Sequence, residues 1–161
     1  MNSKIVSAES LSQISGKLRA QGKKLVVTNG VFDLLHIGHV RYLRAARELG
    51  DALAVGLNGD ESVRQLKGPS RPLNKEEDRA EILAALESVD FVAIFPETRA
   101  TRFLETVRPA IYVKGGDYKP ETLDAEERAA LEKIGAEIRI IPFEKNYSTS
   151  QLIDRIRKQN S

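Results

Sequence analysis

Short apolar runs rich in β-branched residues alternate with helical patterns along the whole chain, and this alternation constrains the fold most strongly. Five such runs occur, at 25–28, 52–57, 91–95, 111–113 and 138–141. Runs this short, separated by amphipathic helices, are typical of parallel strands that are covered on both faces. The pattern therefore predicts an α/β protein with a parallel sheet between helical layers.

Helix-start signals support the same division of the chain. Ser148 is predicted to cap the last helix, and Asp60 a short helix after the second strand. Asn74 with Glu77 three residues later has the pattern of a capping box. Because no linker, repeat or low-complexity tract interrupts the alternation, we predict one domain over 1–161. Its expected fold is a Rossmann-like, doubly wound, five-stranded parallel sheet with helices on both faces.

Composition excludes several classes of protein. The chain has no cysteine and only two histidines, which excludes disulfides and thiolate metal sites and makes a structural zinc site improbable. A net charge of +2 provides no broad field for a nucleic acid. The start resembles no signal peptide, and no apolar run approaches the roughly 18 residues of a membrane span. We therefore expect a cytoplasmic protein with neither a membrane nor a nucleic-acid partner.

Both histidines lie in one tetrapeptide, His36–His39, directly after the first strand and a glycine turn. At a helix start, residues three positions apart project to one side, so the two rings should be neighbours. Free N–H groups at such a start attract anions, and Gly38 between the histidines would let a ligand approach the backbone. We therefore predict a polyphosphate site. The alternative is that one histidine caps the helix and the other packs against it.

Three further polar segments follow strands or precede helices. The loop 67–72, with Arg79 beyond it, carries cations that could reach a triphosphate or a phosphorylated acceptor, or could form an ordinary solvated surface. Segment 114–118 has paired glycines that permit approach to a base or ribose, a pattern that turns also use. Segment 147–150 offers hydroxyls and free N–H groups for phosphate, although capping by Ser148 explains one hydroxyl.

These features together suit nucleotidyl or phosphoryl transfer by direct displacement. Two phosphate-binding helix starts with a cationic loop between them can align two anionic substrates and neutralise developing charge. An acceptor phosphate is already anionic at neutral pH, so such a reaction needs no general base.

The motif Gly30-Val31-Phe32-Asp33 followed by His36–His39 resembles the nucleotidyltransferases with an HxGH motif, the cytidylyltransferase-like superfamily. Further segments are similar to the heptose 1-phosphate adenylyltransferases, at 71–74, 79, 89–90, 112–118 and 147–150. The resemblance extends from about residue 24 to 156. Enzymes of that group occur alone or as the C-terminal half of a bifunctional kinase–adenylyltransferase.

This resemblance implies roles for individual residues. The implied catalytic residues are His36, His39 and Lys67. The implied nucleotide-binding residues are Thr28, Asn29, Gly30, Val31, Phe32, Gly38, Lys114, Gly116, Asp117, Tyr147, Ser148, Thr149 and Ser150. The implied acceptor-binding residues are Asp33, Arg71 and Arg79. Mg²⁺ would accompany the triphosphate without a metal site made by the protein, and relatives are commonly dimers or larger, which implies a homo-oligomer.

The choice of substrates follows from one departure. Glycerol-phosphate cytidylyltransferases carry Arg-Thr-x-Gly-Ile-Ser-Thr-Thr before the last helix, whereas the matching stretch here, 143–150, has no arginine. This difference favours the heptose group and the hypothesis that AMP passes from ATP to a sugar 1-phosphate with release of pyrophosphate.

Three other functions compete with that hypothesis. One transfers CMP from CTP to a polyol phosphate, an amino-alcohol phosphate or a phosphonate, and another is a nucleotide-binding module without turnover. Class I aminoacyl-tRNA synthetases share the histidine motif, but the chain is too short for an anticodon domain and lacks a Lys-Met-Ser-Lys-Ser segment.

Overall fold

The computed structural model describes residues 2–116 and 119–161. Its elements, in order, are α1 Ala8–Ala20, β1 Leu25–Gly30, α2 Ile37–Arg47, β2 Ala52–Asn58, α3 Asp60–Lys67, α4 Glu76–Ala84, β3 Phe91–Phe95, α5 Thr101–Val107, β4 Ile111–Gly115, a 3₁₀ turn Pro120–Thr122, α6 Ala125–Ile134, β5 Glu137–Ile141 and α7 Thr149–Gln159. All five predicted strands are confirmed. Both β1 and β4 run two residues further than predicted, so the first residues of two polar motifs belong to strands.

The five strands form one sheet in the order β3-β2-β1-β4-β5, and every neighbouring pair is parallel. The strand order reverses between β1 and β4, which are adjacent. In sheets of this kind a crevice opens at the reversal, outside the carboxyl ends of the strands. The polar segments predicted to carry the site follow these strand ends.

Helices cover both faces of the sheet, which confirms the doubly wound prediction. One core cluster joins β-strand side chains to α2 and α4, including the buried Leu43 and Leu83. The other cluster joins the opposite strand face to α1, α5 and α6 through Leu11, Leu104 and Leu131. Since strand side chains alternate in direction, the apolar runs supply both clusters at once.

Helix capping follows the predictions at α7 but not at α3 and α4. The Ser148 hydroxyl accepts from the Gln151 N–H at the start of α7, as expected. Asp60 is instead the first residue of α3, after the cap residue Gly59. The capping box predicted at Asn74 is also wrong, because α4 begins after Lys75 with no side-chain cap. Both polar side chains are used elsewhere, in contacts that shape the crevice.

Candidate active site

A cleft of about 620 Å³ opens at the carboxyl ends of the central strands, where the strand order reverses. The segment 29–33 at the end of β1 lines its middle, together with His39 on α2. Lys67 and Arg71 lie on the β2 side, while Lys114, Gly115 and Phe143 lie on the side of β4 and β5. The start of α7 contributes Thr149 and Ser150. The structure thus brings all four polar segments to one cavity.

The two histidine rings lie together at the start of α2, with centroids 3.9 Å apart. His36 is the cap residue, and its Nδ1 accepts from the Gly38 N–H at 3.1 Å. The His39 Nδ1 accepts from the His36 N–H at 3.3 Å. One histidine does cap the helix, as the alternative held, but the same contacts leave Nε2 of each ring as the nitrogen that carries the proton in the neutral form.

Burial favours the neutral form of both imidazoles. Burial, followed by the charge of the adjacent His36, lowers the pKa of His39 to about 4. Burial also lowers the pKa of His36 below its ordinary value. A neutral imidazole with Nδ1 engaged presents one Nε2–H donor, so the pair offers hydrogen-bond donors to phosphate oxygens without a full positive charge.

Gly38 has a different role from the one predicted. A Cβ atom at this position would lie 2.8 Å from Cε1 of His36 and 3.1 Å from Cβ of Tyr147. The space that we expected a ligand to use is filled by the His36 ring and by Tyr147, whose ring stacks near His36 with centroids 6.4 Å apart. Gly38 therefore allows the His36 ring to fold back onto the helix start.

Phe32 and Gly30 shape the centre of the cleft. Phe32 has a positive φ of 47°, which few non-glycine residues adopt. Its ring lies over Gly30, where a Cβ atom would be 2.9 Å from Cε2 of Phe32. The centroid of the Phe32 ring lies 5.4 Å from that of the His39 ring. The phenyl ring therefore packs between the end of β1 and the catalytic candidate on α2.

Asp33 organises the loop on the β2 side instead of pointing at a ligand. Its carboxylate accepts from the Arg71 Nε at 2.8 Å and from the N–H groups of Leu73 and Asn74 at 2.8 and 2.9 Å. The Asn74 amide returns a bond to the Asp33 carbonyl. Burial would raise the pKa of Asp33, but these donors hold it below its ordinary value. With a side chain only 1% exposed, Asp33 positions Arg71.

Arg79 does not reach the cleft, which corrects its predicted role in acceptor binding. Its guanidinium is fully buried and donates to three carbonyls, of Val31, Asn58 and Asn74. A fourth bond joins it to the Asp60 carboxylate at 2.7 Å. Arg79 therefore ties the ends of β1 and β2 to the loop before α4, and acts beneath the site.

The other predicted cations do line the cleft. Lys67 at the end of α3 forms no ion pair with any residue in the described part of the chain, and Arg71 is held by Asp33. The Lys114 Nζ lies 4.0 Å from the buried Glu127 carboxylate. The cleft thus has cationic groups on both of its sides.

The polar residues at the start of α7 make different contacts. Ser148 caps the helix, and the Thr149 hydroxyl donates to the Leu34 carbonyl, which fixes α7 against the segment after β1. Thr149 and Ser150 line the main cleft. Tyr147 lines a smaller adjoining pocket of about 130 Å³ with His36.

Thr28 and Gly116, which were predicted to bind nucleotide, line neither the main cleft nor the adjoining pocket. Thr28 is buried, with its Oγ1 2.6 Å from the hydroxyl of Tyr42, because β1 continues past it. The Gly116 N–H donates to the Ile141 carbonyl, which joins the ends of β4 and β5. Asp117 lies outside the described residues.

Tyr42 and Phe143 also line the cleft, although neither was predicted as a site residue. Tyr42 lies one turn after His39 on α2, and burial raises its pKa to about 12 despite the bond to Thr28. Tyr112 donates to the Asn29 Oδ1 at 2.6 Å and so orients that amide. Phe143 is apolar and follows β5. Only the spacing of Tyr42 from His39 gave a signal in the sequence.

Residues 2–116 and 119–161 contain no cluster of three or more histidine, aspartate or glutamate side chains able to hold a metal ion. Over the same residues, no helix has the length and apolarity needed to cross a membrane.

The chain is similar in sequence to known proteins over most of its length. The Cytidylyltransferase-like family model matches residues 27–155. A relative named "Bifunctional protein HldE", from Geotalea uraniireducens (strain Rf4), is 49% identical over 156 residues. That match covers 97% of this chain but 31% of the relative, so the chain spans about a third of its length.

Solved structures show the same fold. The lipopolysaccharide core biosynthesis protein from Thermoplasma volcanium GSS1 is 30% identical, with a TM-score of 0.63, and the match covers 79% of this chain and all of that one. Pantoate-beta-alanine ligase from Francisella tularensis, complexed with beta-gamma ATP and beta-alanine, has a TM-score of 0.61. It is 14% identical, with 98% of this chain and 78% of that chain covered, and so supports the fold alone.

Proposed function

Because the chain belongs to the cytidylyltransferase-like family, we propose that it transfers AMP from ATP to a sugar 1-phosphate and releases pyrophosphate. Heptose 1-phosphate is the proposed acceptor. The observation that carries this proposal is the His36–His39 pair, which presents neutral Nε2–H donors at a helix start beside a cleft large enough for two substrates.

In the proposed reaction an acceptor phosphate oxygen attacks the α-phosphorus of ATP. The new P–O bond forms as the bond between the α-phosphorus and the bridging oxygen of pyrophosphate breaks, with no covalent enzyme intermediate. The acceptor oxygen is already anionic, so no residue has to remove a proton. This fits a cleft whose histidines are neutral donors.

The chain's own residues would then orient substrates and neutralise charge. His39 lines the main cleft and would donate to phosphate oxygens as negative charge shifts toward the leaving pyrophosphate. The N–H groups and hydroxyls of Thr149 and Ser150 would hold the β- and γ-phosphates at the start of α7. Lys67 and Arg71 would hold the acceptor phosphate on the β2 side.

Mg²⁺ fits this proposal as an ion carried by the triphosphate. Asp33, the carboxylate among the described residues that line the cleft, is occupied by Arg71 and two N–H groups. Mg²⁺ commonly keeps several waters and binds through substrate phosphates with few protein ligands. When bound, it would neutralise charge on the phosphates.

Support for ATP comes from the absence of arginine in 143–150 and from the resemblance of 71–74, 112–118 and 147–150 to the heptose 1-phosphate adenylyltransferases, whereas the family name points to CTP. We would test both with a pyrophosphate-release assay over a grid of nucleotides and acceptors. The grid contains ATP and CTP, each with heptose 1-phosphate, another sugar 1-phosphate, a polyol phosphate and an amino-alcohol phosphate. Release only with ATP and a sugar 1-phosphate is expected. Release only with CTP, or nucleotide binding without release for any acceptor, would refute the proposal.

A further inference from the structure

Phe143 is an exposed aromatic side chain inside the cleft. It follows β5, and 58% of its surface is accessible to solvent. The ring lines both the main cleft and the smaller pocket beside His36. Leaving a phenyl ring this exposed forgoes the free energy that its burial would contribute, and a flat ligand packed on the ring would recover part of that free energy.

The ring is nevertheless held in a defined place. A Cβ atom on Gly115 would lie 2.6 Å from Cε1 of Phe143, so the ring edge rests directly on the end of β4. The Tyr42 ring lies 6.0 Å away, centroid to centroid, at an angle of 59°. The next residue, Glu144, pairs with Arg41 on α2. Contacts with two elements therefore fix an aromatic surface that remains open to the cleft.

The strand order separates this ring from most of the cationic groups. Phe143 follows β5 and Gly115 ends β4, on one side of β1. Lys67 and Arg71 follow β2, on the other side. His39 and the segment 29–33 lie between them. The cleft thus has one end with Phe143 and a single cation, Lys114, a middle formed by His39 and 29–33, and a cationic end with Lys67 and Arg71.

We propose that Phe143 is the surface on which the base of the substrate nucleotide stacks, and that it contributes to the choice between ATP and CTP. This inference rests on the proposed function, in which only one of the two substrates carries a flat ring. A sugar phosphate has no aromatic face, so it suits the cationic end. A purine offers a larger stacking face than a pyrimidine and gains more from the phenyl ring.

The test compares Phe143→Ala and Phe143→Tyr with the wild type. Isothermal titration with Mg²⁺ and either ATP or CTP gives Kd, and pyrophosphate release gives kcat and KM. Loss of base stacking should raise both Kd and KM for ATP about 5- to 100-fold. Because the base stacks equally in the ground and transition states, kcat should change much less. The tyrosine variant should retain most of the affinity for ATP.

Two further variants sharpen the test. Ile82→Ala truncates another exposed apolar residue, on α4 and outside the cleft, and should leave Kd and KM unchanged. Gly115→Ala keeps the phenyl ring but forces it to move, and should weaken ATP binding in the same direction as Phe143→Ala. Phe143→Ala should raise Kd and KM for CTP less than it raises them for ATP. The ratio of the two Kd values should therefore move closer to one in this variant.

The outcomes separate this inference from the function on which it rests. A wild type that turns over ATP, with a Phe143→Ala variant of equal Kd and KM, overturns the stacking proposal alone. An equal loss for ATP and CTP overturns the role in nucleotide choice. A wild type that binds neither nucleotide overturns both proposals.

Discussion

His36 and His39 lie with their ring centroids 3.9 Å apart, and each accepts a backbone N–H through Nδ1. Each ring is therefore fixed in orientation by the turn on which it sits, before any ligand arrives. This arrangement resembles a preorganised set of donors, in which little reorganisation is needed as charge develops.

Replacing His39 by alanine should lower kcat about 100- to 1000-fold, since removal of one preorganised donor has an effect of that size. His36→Ala should have a smaller effect, because His36 borders the adjoining pocket and not the main cleft. Pyrophosphate release at saturating substrates measures both. Arg44→Ala, an exposed change on the same helix, is the matched control. Wild-type turnover by His39→Ala would contradict the assignment.

Stability should depend on pH through the histidines. Below pH 6.5, roughly the ordinary histidine pKa, the unfolded chain binds protons that the folded protein, with a His39 pKa of about 4, does not bind. The part of the free energy of unfolding that depends on neutral His39 is therefore fully present above pH 6.5 and is lost as the pH falls toward 4. It amounts to about 3 kcal/mol for His39. Urea unfolding between pH 7 and 4 should show a shallower decline for His39→Asn, and parallel curves would disprove the effect.

Asp33→Asn should weaken acceptor binding and leave nucleotide binding intact. An amide cannot accept all three hydrogen bonds that hold Arg71 and the adjoining loop, so Arg71 loses its fixed position. We expect KM for the acceptor to rise about 10-fold, as for loss of one charge-assisted bond, with Kd for ATP unchanged. Asp51→Asn is the control, because that carboxylate also accepts a backbone N–H, before β2 and away from the cleft. Equal effects of both changes would contradict a specific role for Asp33.

Gly38→Ala should impair turnover without unfolding the protein. The new Cβ atom would lie 2.8 Å from the His36 ring, so the ring must leave its place on the helix start. We expect kcat to fall by at least about 10-fold because the donors lose their alignment. Gly16→Ala is the control, since nothing lies within 4 Å of a Cβ atom there. Within α1 that change should stabilise the protein by about 0.5–1 kcal/mol with unchanged kcat.

Arg79→Met should destabilise the protein by about 3–5 kcal/mol, as expected when one partner of a buried ion pair is removed. The partly exposed Asp60 loses its partner, and three carbonyls lose their donor. Adding Asp60→Asn to this variant should recover part of the loss, because no unpaired carboxylate remains. Urea unfolding of the four proteins in this cycle gives the coupling. Strict additivity would show that the pair does not contribute as a unit.

The strand and helix order could be predicted because local periodicity reports which face of each segment is buried. The cleft followed from topology, since residues after parallel strands meet at one edge of the sheet. The interior polar contacts could not be predicted. Arg79 donates to the carbonyls of Val31 and Asn58, which are distant in the sequence. The residues next to Arg79 give no indication that these carbonyls are its partners.

Local polar patterns also gave wrong predictions where the actual partner of a side chain is distant in the sequence. Asn74 has the sequence context of a helix cap, but its amide binds the Asp33 carbonyl, a partner 41 residues away. Phe143 escaped notice because an apolar residue after a strand normally enters a core. Its position in the cleft depends on Gly115, on a different strand.

The strand order has a consequence for redesign. In the sheet, β1 lies between β2 and β4. One end of the cleft is formed by residues after β2 and the other by residues at the ends of β4 and β5, so the two ends come from separate parts of the sequence. The segment 67–74 could be exchanged for one from another protein while the β4 and β5 ends stay as they are. A library confined to that segment would search for new acceptors on a fixed nucleotide platform, so each half of the transfer could be evolved separately.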